Sequence, residues 1–179
     1  DLGCKKVLVV CDEGVVNAGI AGKIIENLNN AGVQTVVFDK ALPDPPDYSI
    51  DEAGALAIAE KIDGIVGIGG GSAMDSAKAT NLLINNPAPI NNYFGSVLFK
   101  PGVPVICIPT TSGTGCEQSG GAVITDTKKN AKGAVSTGAP TLAIVDPELT
   151  IGLPRSLTLA GAMDAFAHSV EIATSVYPT

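Results

Sequence analysis

The sequence is short of charge and nearly devoid of histidine: 16% of its 179 residues are charged, and His168 is the one histidine. With 45% hydrophobic residues, this low charge excludes a disordered chain, and the length suffices for one domain with a real core. A formal charge of −7 and the lack of a basic stripe exclude nucleic acid as the main partner, because nothing neutralises a run of phosphates. The basic cluster Lys128, Lys129 and Lys132 reads either as a solvated loop or as a contact for a cofactor phosphate. Cysteine is also scarce. Cys4, Cys11, Cys107 and Cys116 show no metal-site spacing and no secreted disulfide framework, so reduced thiols and a cytoplasmic protein are expected. No apolar run approaches the ~20 residues of a membrane span, no signal peptide is visible, and no internal repeat or low-complexity tract appears.

What is present is an alternation of apolar runs and helical patterns. Lys5 to Asp12 reads as a buried strand ending in a carboxylate, and Asn17 to Asn30 as a helix stopped by Gly32. A strand at Val33 to Phe38, a loop at Pro43 to Pro46 and a helix at Asp51 to Lys61, with Asp51 as its cap, come next. Then come a strand at Ile62 to Ile68 and a helix at Ala73 to Ile84. Near-continuous apolar strands in β-α-β order predict a parallel sheet covered on both faces, a Rossmann-like α/β fold. After a Pro- and Asn-rich connection, Asn85 to Pro101, a strand is predicted at Val103 to Ile108, with Pro104 keeping its start outside the ladder. Shorter strands are predicted at Ala122 to Thr125, Gly133 to Ser136 and Thr141 to Val145, and a helix from Pro154 to about Val176. A domain boundary falls near Asp146 to Pro154. It separates a dinucleotide-binding domain, 1–150, from the first helix of an all-helical domain, 151–179. One helix cannot bury its own apolar face, so the chain is expected to be a piece of a longer protein.

The segment Gly69-Gly70-Gly71-Ser72-Ala73-Met74-Asp75-Ser76-Ala77-Lys78 carries the most chemistry. Glycines between a strand and a helix let backbone approach a ligand, and the helix start offers free N–H groups and a positive dipole end. A diphosphate-bearing cofactor is the first inference. The segment is neither G-x-G-x-x-G nor a Walker A loop, since Lys78 lies well inside the helix. Pro109-Thr110-Thr111-Ser112-Gly113-Thr114-Gly115-Cys116-Glu117 also follows a strand. Its hydroxyls and amides read either as holders of ribose or phosphate oxygens or as a turn capping a helix. Two such loops at strand C-termini fit ligand binding at the switch point of an open sheet. Asp12 reads either as a partner of ribose hydroxyls or as a turn-forming residue. Asp164 and His168, four apart, share a helix face: they either ligate one divalent metal or simply pair.

Taken in order, these two loops, Val123-Ile124-Thr125-Asp126, Ile144 to Thr150, and Gly161-Ala162-Met163-Asp164-Ala165-Phe166-Ala167-His168-Ser169-Val170-Glu171 resemble the iron-containing (group III) alcohol dehydrogenases. The resemblance covers essentially the whole chain. It implies a dinucleotide-binding domain, a helical domain and a metal between them. It implies that Asp12 meets the adenosine ribose and favours NAD over NADP, and that Gly70, Gly71 and Ser72 hold the diphosphate, with Asp75 among the cofactor-binding residues. Thr110, Thr111, Thr114 and Lys132 would line the rest of that site. Asp164 and His168 match two of four metal ligands, Fe2+ before Zn2+, with no catalytic residue beyond the ligands.

The implied reaction is reversible hydride transfer between a primary alcohol and its aldehyde, in a homo-oligomer with no nucleic-acid or membrane partner. Alternatives are another enzyme of the superfamily (glycerol dehydrogenase, maleylacetate reductase, hydroxyacid–oxoacid transhydrogenase) or an inactive nucleotide-binding fragment. Family members are about twice this length, and their two later histidine ligands are missing here. Cys116 stands where Ser is frequent, and Gly161-Ala162 where Thr-Gly is usual. The piece alone is therefore expected to bind NAD weakly or not at all and to turn over negligibly.

Overall fold

A computed structural model describes residues 2–95 and 98–176. The strand β1 (Lys6–Val10) leads through two short helices, α1 (Glu13–Asn17) and α2 (Ile20–Asn30), to β2 (Gln34–Phe38). The chain then crosses through α3 (Asp47–Ala59) to β3 (Gly64–Gly69), and through α4 (Gly71–Ile84) to β4 (Val105–Pro109). The antiparallel hairpin β5 (Gly121–Asp126) and β6 (Ala131–Ser136) follows, then β7 (Leu142–Ala143) and α5 (Arg155–Thr174).

The main sheet has the order β2-β1-β3-β4-β7, and all its pairings are parallel. Its strands alternate between two buried faces, as the period of two requires. Leu8, Val10 and Ile65 join Ala53, Ala57, Ala73, Met74 and Ala77 under α3 and α4. Val7, Val9 and Val66 join Val15, Ala21 and the inner side of α2 on the other face. Each fully buried Leu, Ile or Val contributes about 1.5–3 kcal/mol relative to exposure. The alanines on α3 and α4 matter for another reason: they let helices lie close to the sheet. A Cβ on Gly67 would sit 2.7 Å from that of Ala77, so this strand and helix meet almost backbone to backbone.

The structure moves several predicted boundaries. The helix expected at Asn17 to Asn30 is broken at Gly19, whose φ of +74° ends α1 and starts α2. The next helix begins at Asp47 rather than Asp51, because Pro46 has the extended backbone of an N-cap and a fixed φ. Asp51 therefore does not cap it: its Oδ1 accepts the Ile90 N–H at 2.8 Å and anchors the connection after α4. The strand predicted at Thr141 to Val145 is reduced to Leu142–Ala143, an edge pairing with Ile106 and Cys107. β5 and β6 leave the main sheet altogether. Their inner residues Ala122, Ile124 and Val135 pack on Ile50, Leu82, Leu83 and Ile90, at the outer side of α3 and α4.

Candidate cofactor-binding site

β1 is flanked by β2 on one side and β3 on the other, so the sheet order reverses between β1 and β3. Crevices at such a point, outside the strands' carboxyl ends, are where open parallel sheets bind ligands. Asp12 follows the end of β1, Gly69 ends β3, and Thr110 follows β4. These three strand ends converge on an open cleft of about 1440 Å3 whose walls include Asp12, Gly70, Gly71, Ser72, Thr110 and Thr111.

Backbone geometry explains why the turn is glycine. Gly69 has φ +145°, and a Cβ there would lie 2.7 Å from Ala73 Cβ and 3.2 Å from Asp12 Oδ2. α4 then starts at Gly71 with Gly70 as its cap, and no side chain caps its first N–H groups. Those amides and the helix dipole favour an anion. Thr110 N–H donates to Gly69 O at 2.9 Å and ties the second loop to the first. Thr111 stands against Gly70: a Cβ on Gly70 would be 3.5 Å from Thr111 Oγ1. That Oγ1 is buried and has no hydrogen-bond partner among the described residues. Thr114 packs likewise on Gly71, its Oγ1 accepting the Cys116 N–H at 3.2 Å.

Asp12 takes the turn-forming role with one of its two oxygens. Oδ1 accepts the Val15 N–H at 3.0 Å and caps α1, while Oδ2 faces Gly69. Ser72 Oγ accepts the Asp44 N–H at 3.3 Å, which brings the 43–46 turn to the glycine loop. Lys132 Nζ pairs with Asp44 Oδ1 at 2.6 Å, both largely exposed, so it reaches the rim of this turn rather than the cleft wall.

Asp75 differs from expectation. Its carboxylate points away from the cleft: Oδ2 accepts the Val123 N–H at 2.9 Å, and Oδ1 meets Cys116 Sγ at 2.7 Å and Lys78 Nζ at 3.0 Å. Both oxygens are thus used inside the protein. Lys78, read from sequence only as lying too deep for a phosphate, is the centre of this network. Its ammonium also donates to Cys116 O, Ser119 Oγ and Gly121 O, the last two at 3.0 and 2.5 Å. Burial works against its charge, but the Asp75 carboxylate outweighs it and holds the ammonium's pKa above the ordinary lysine value. Burial, with Asp75 next to it, pushes the Cys116 thiol up to about 12. The thiol is therefore neutral, and the loop carrying Thr110 to Thr114 is clamped to α4. Two clues to this network lay in the sequence: the i,i+3 spacing of Asp75 and Lys78, and their setting among the alanines Ala73, Ala77 and Ala79. Asp44, between prolines, left no such clue.

Asp164 and His168 share one face of α5, with Nε2 3.9 Å from Oδ1 and both side chains about half exposed. Among the described residues no group of three or more His, Cys, Asp or Glu side chains could hold a metal ion, so this pair offers two ligands. Nor, among those residues, is any helix long and apolar enough to cross a membrane.

The family model of iron-containing alcohol dehydrogenases matches residues 1–147. The chain is 42% identical over 173 residues to an NAD-dependent methanol dehydrogenase of Bacillus methanolicus, covering 95% of this chain and 45% of that protein. It is 39% identical to a choline dehydrogenase of Bacillus subtilis, covering 97% and 44%. An alcohol dehydrogenase structure from Oenococcus oeni superposes with a TM-score of 0.92 at 35% identity, over 98% of this chain and 47% of the other. A sulfoacetaldehyde reductase from Bifidobacterium kashiwanohense, solved in complex with NAD+, gives 0.87 at 30%, over 94% and 46%. The chain thus spans a little under half the length of the curated relatives it matches. With the match covering most of its residues, the chain belongs to the iron-containing alcohol dehydrogenase family.

Proposed function

We propose that this chain is the cofactor-holding part of an NAD-linked, metal-dependent oxidoreductase that interconverts a small primary alcohol and its aldehyde. The observation that carries the cofactor assignment is Thr111 Oγ1: a buried hydroxyl without a partner, set against Gly70 beside an uncapped helix start. An unmet buried hydroxyl is costly unless a ligand oxygen completes it. In this reading the α4 amides and Gly70, Gly71 and Ser72 hold the diphosphate, Thr110, Thr111 and Thr114 line the adjoining wall, and Asp12 Oδ2 accepts from the adenosine ribose. The carboxylate of Asp12 would also repel a 2′-phosphate, which favours NAD over NADP. Asp75 is reassigned from cofactor contact to loop anchor, and Lys132 acts at the rim through Asp44.

Asp164 and His168 have the donor chemistry of a divalent-metal site and would supply two of its ligands, Fe2+ before Zn2+. When bound, NAD supplies the hydride acceptor and the metal supplies Lewis acidity toward the substrate oxygen. The chain's own residues bind and orient: the two loops fix the cofactor at the switch point, and α5 carries the metal ligands beside them. We assign residues 1–150 to the dinucleotide-binding domain and 151–179 to the start of a helical one. In support, α5 leaves Leu157, Leu159, Met163, Phe166, Val170 and Ile172 exposed, an apolar surface that packing would cover. NADH titration of the full-length protein that carries this chain, followed by fluorescence, tests the reading: saturable binding that Thr111→Val weakens at unchanged melting temperature supports it. Failure of the full-length protein that carries this chain to bind NADH at any accessible concentration overturns the cofactor assignment.

A further inference from the structure

α5 meets the hydroxyl loop without side chains between them. A Cβ built on Gly113 would lie 2.7 Å from Gly161 C and 2.8 Å from Gly161 Cα, and would strike Gly161 O. A Cβ on Gly161 would strike Ser112 O in return, and would lie 3.3 Å from Ser112 C. Atoms with real Cβ groups do not approach backbone so closely, so both positions need glycine for this packing. They need it for different reasons. Gly113 also has φ +153°, which side chains disfavour, whereas Gly161 is helical and alanine there would be the better helix former. Only the contact with Ser112 and Gly113 therefore stands against alanine at 161.

The register gives this contact a consequence. Asp164 lies three residues and His168 seven residues beyond Gly161, all on one helical stripe. Gly161, Asp164 and Ala165 are partly buried and His168, at the edge of the stripe, is about half exposed, while Ala162, Met163 and Phe166 are exposed. The face that touches the loop is thus the face that carries the carboxylate and the imidazole. The loop in turn is fixed on its other side by Thr110 N–H on Gly69 O and by Lys78 on Cys116 O.

We propose that Gly161 is a positioning residue: its missing side chain seats α5 directly on Ser112–Gly113 and thereby sets the placement of Asp164 and His168 against the cofactor loop. This rests on the proposed function for its cofactor arm but not for its contact arm. Two experiments separate them. In NMR spectra of the 179-residue protein, cross-peaks between the Hα atoms of Gly113 and Gly161 are expected, and their absence overturns the seating. In Gly161→Ala, resonances of Ser112, Gly113 and Asp164 are expected to move while the melting temperature holds, and NADH binding by the full-length protein that carries this chain to weaken several-fold. Gly22→Ala, at an open position away from the cleft wall, should change neither these resonances nor the NADH affinity. Unmoved loop resonances in the Gly161 variant overturn the proposal. Moved resonances with unchanged NADH affinity overturn the coupling to the cofactor loop. Cross-peaks and shifts as expected, with no NADH binding by the full-length protein that carries this chain, overturn the proposed function and leave the seating established.

Discussion

Lys78 Nζ lies 3.0 Å from Oδ1 of Asp75, one turn earlier on α4, and both groups are buried where α4 meets the loop before β5. The pair holds together two segments 38 or more residues apart, because the same ammonium donates to Cys116 O and Gly121 O. Breaking a buried pair from one side costs more than the pair contributes, since the other charge stays behind. Lys78→Met is therefore expected to lower stability by about 3–5 kcal/mol in urea unfolding. A loss below ~1 kcal/mol, the range of exposed pairs, would show that solvent reaches the network.

The three buried thiols set a pH limit. Burial pushes Cys11 and Cys107 up to about 11 and, with Asp75, Cys116 up to about 12, all above the ordinary value near 9.0. Above pH 9.0 the unfolded chain releases these protons while the folded one keeps them, so stability is full below pH 9 and falls as pH rises toward 11 to 12. Lys78 acts in the same direction, its contribution being lost as pH climbs through its raised pKa. On the acid side, burial raises Asp47, but its hydrogen bonds from Asn91, Thr127 and Tyr48 outweigh this and hold it below the usual carboxylate value. Its contribution is present above that ordinary value and lost as pH falls through the lowered one. Thermal melts across pH should show a steep decline above 9. In a thiol-reagent assay near neutral pH, Cys4, the one partly exposed thiol, should react first, with the other three following only on unfolding. Prompt labelling of all four in the native protein would contradict this burial.

Gly22 in α2 offers a clean test of local propensity. It is exposed, its φ is helical, and a Cβ there meets nothing within 4 Å. Gly22→Ala is expected to stabilise the protein by about 0.4–1 kcal/mol, largely by restricting the unfolded chain. Destabilisation would mean that α2 uses this position for packing.

How far the sequence could be read depended on whether a signal was local. The run from Ile62 to Ile68 followed by three glycines placed the glycine turn within two residues of where β3 ends and α4 begins, because strand periodicity and glycine chemistry act over a few residues. The pattern of Ala122 to Thr125 was equally legible as a strand, yet nothing local distinguished a hairpin packed on α4 from a member of the main sheet. Asp75 and Lys78 were visible as residues, but their destination depended on Cys116 and Val123, more than 35 residues away. Asp51 looked like a cap because it precedes an apolar stretch. Pro46 had already started the helix, and the carboxylate was free to hold Ile90.

Asp12 allows cofactor choice to be separated from folding. Oδ1 caps α1 through Val15, and Oδ2 faces the Gly69 turn, so removing the whole side chain would disturb both. Asparagine keeps a capping oxygen of nearly equal quality but no charge. Asp12→Asn should leave the melting temperature within about 1 °C, since a retained cap changes stability by a few tenths of a kcal/mol at most. If Asp12 meets the adenosine ribose as proposed, its carboxylate's repulsion of a 2′-phosphate should disappear. The preference for NADH over NADPH in binding is then expected to fall by roughly tenfold, the equivalent of ~1.4 kcal/mol. If the preference is unchanged while the melting temperature holds, Asp12 serves only as the cap of α1. If both change together, cap and cofactor contact are inseparable in the native geometry, and the charge-repulsion account of the preference fails.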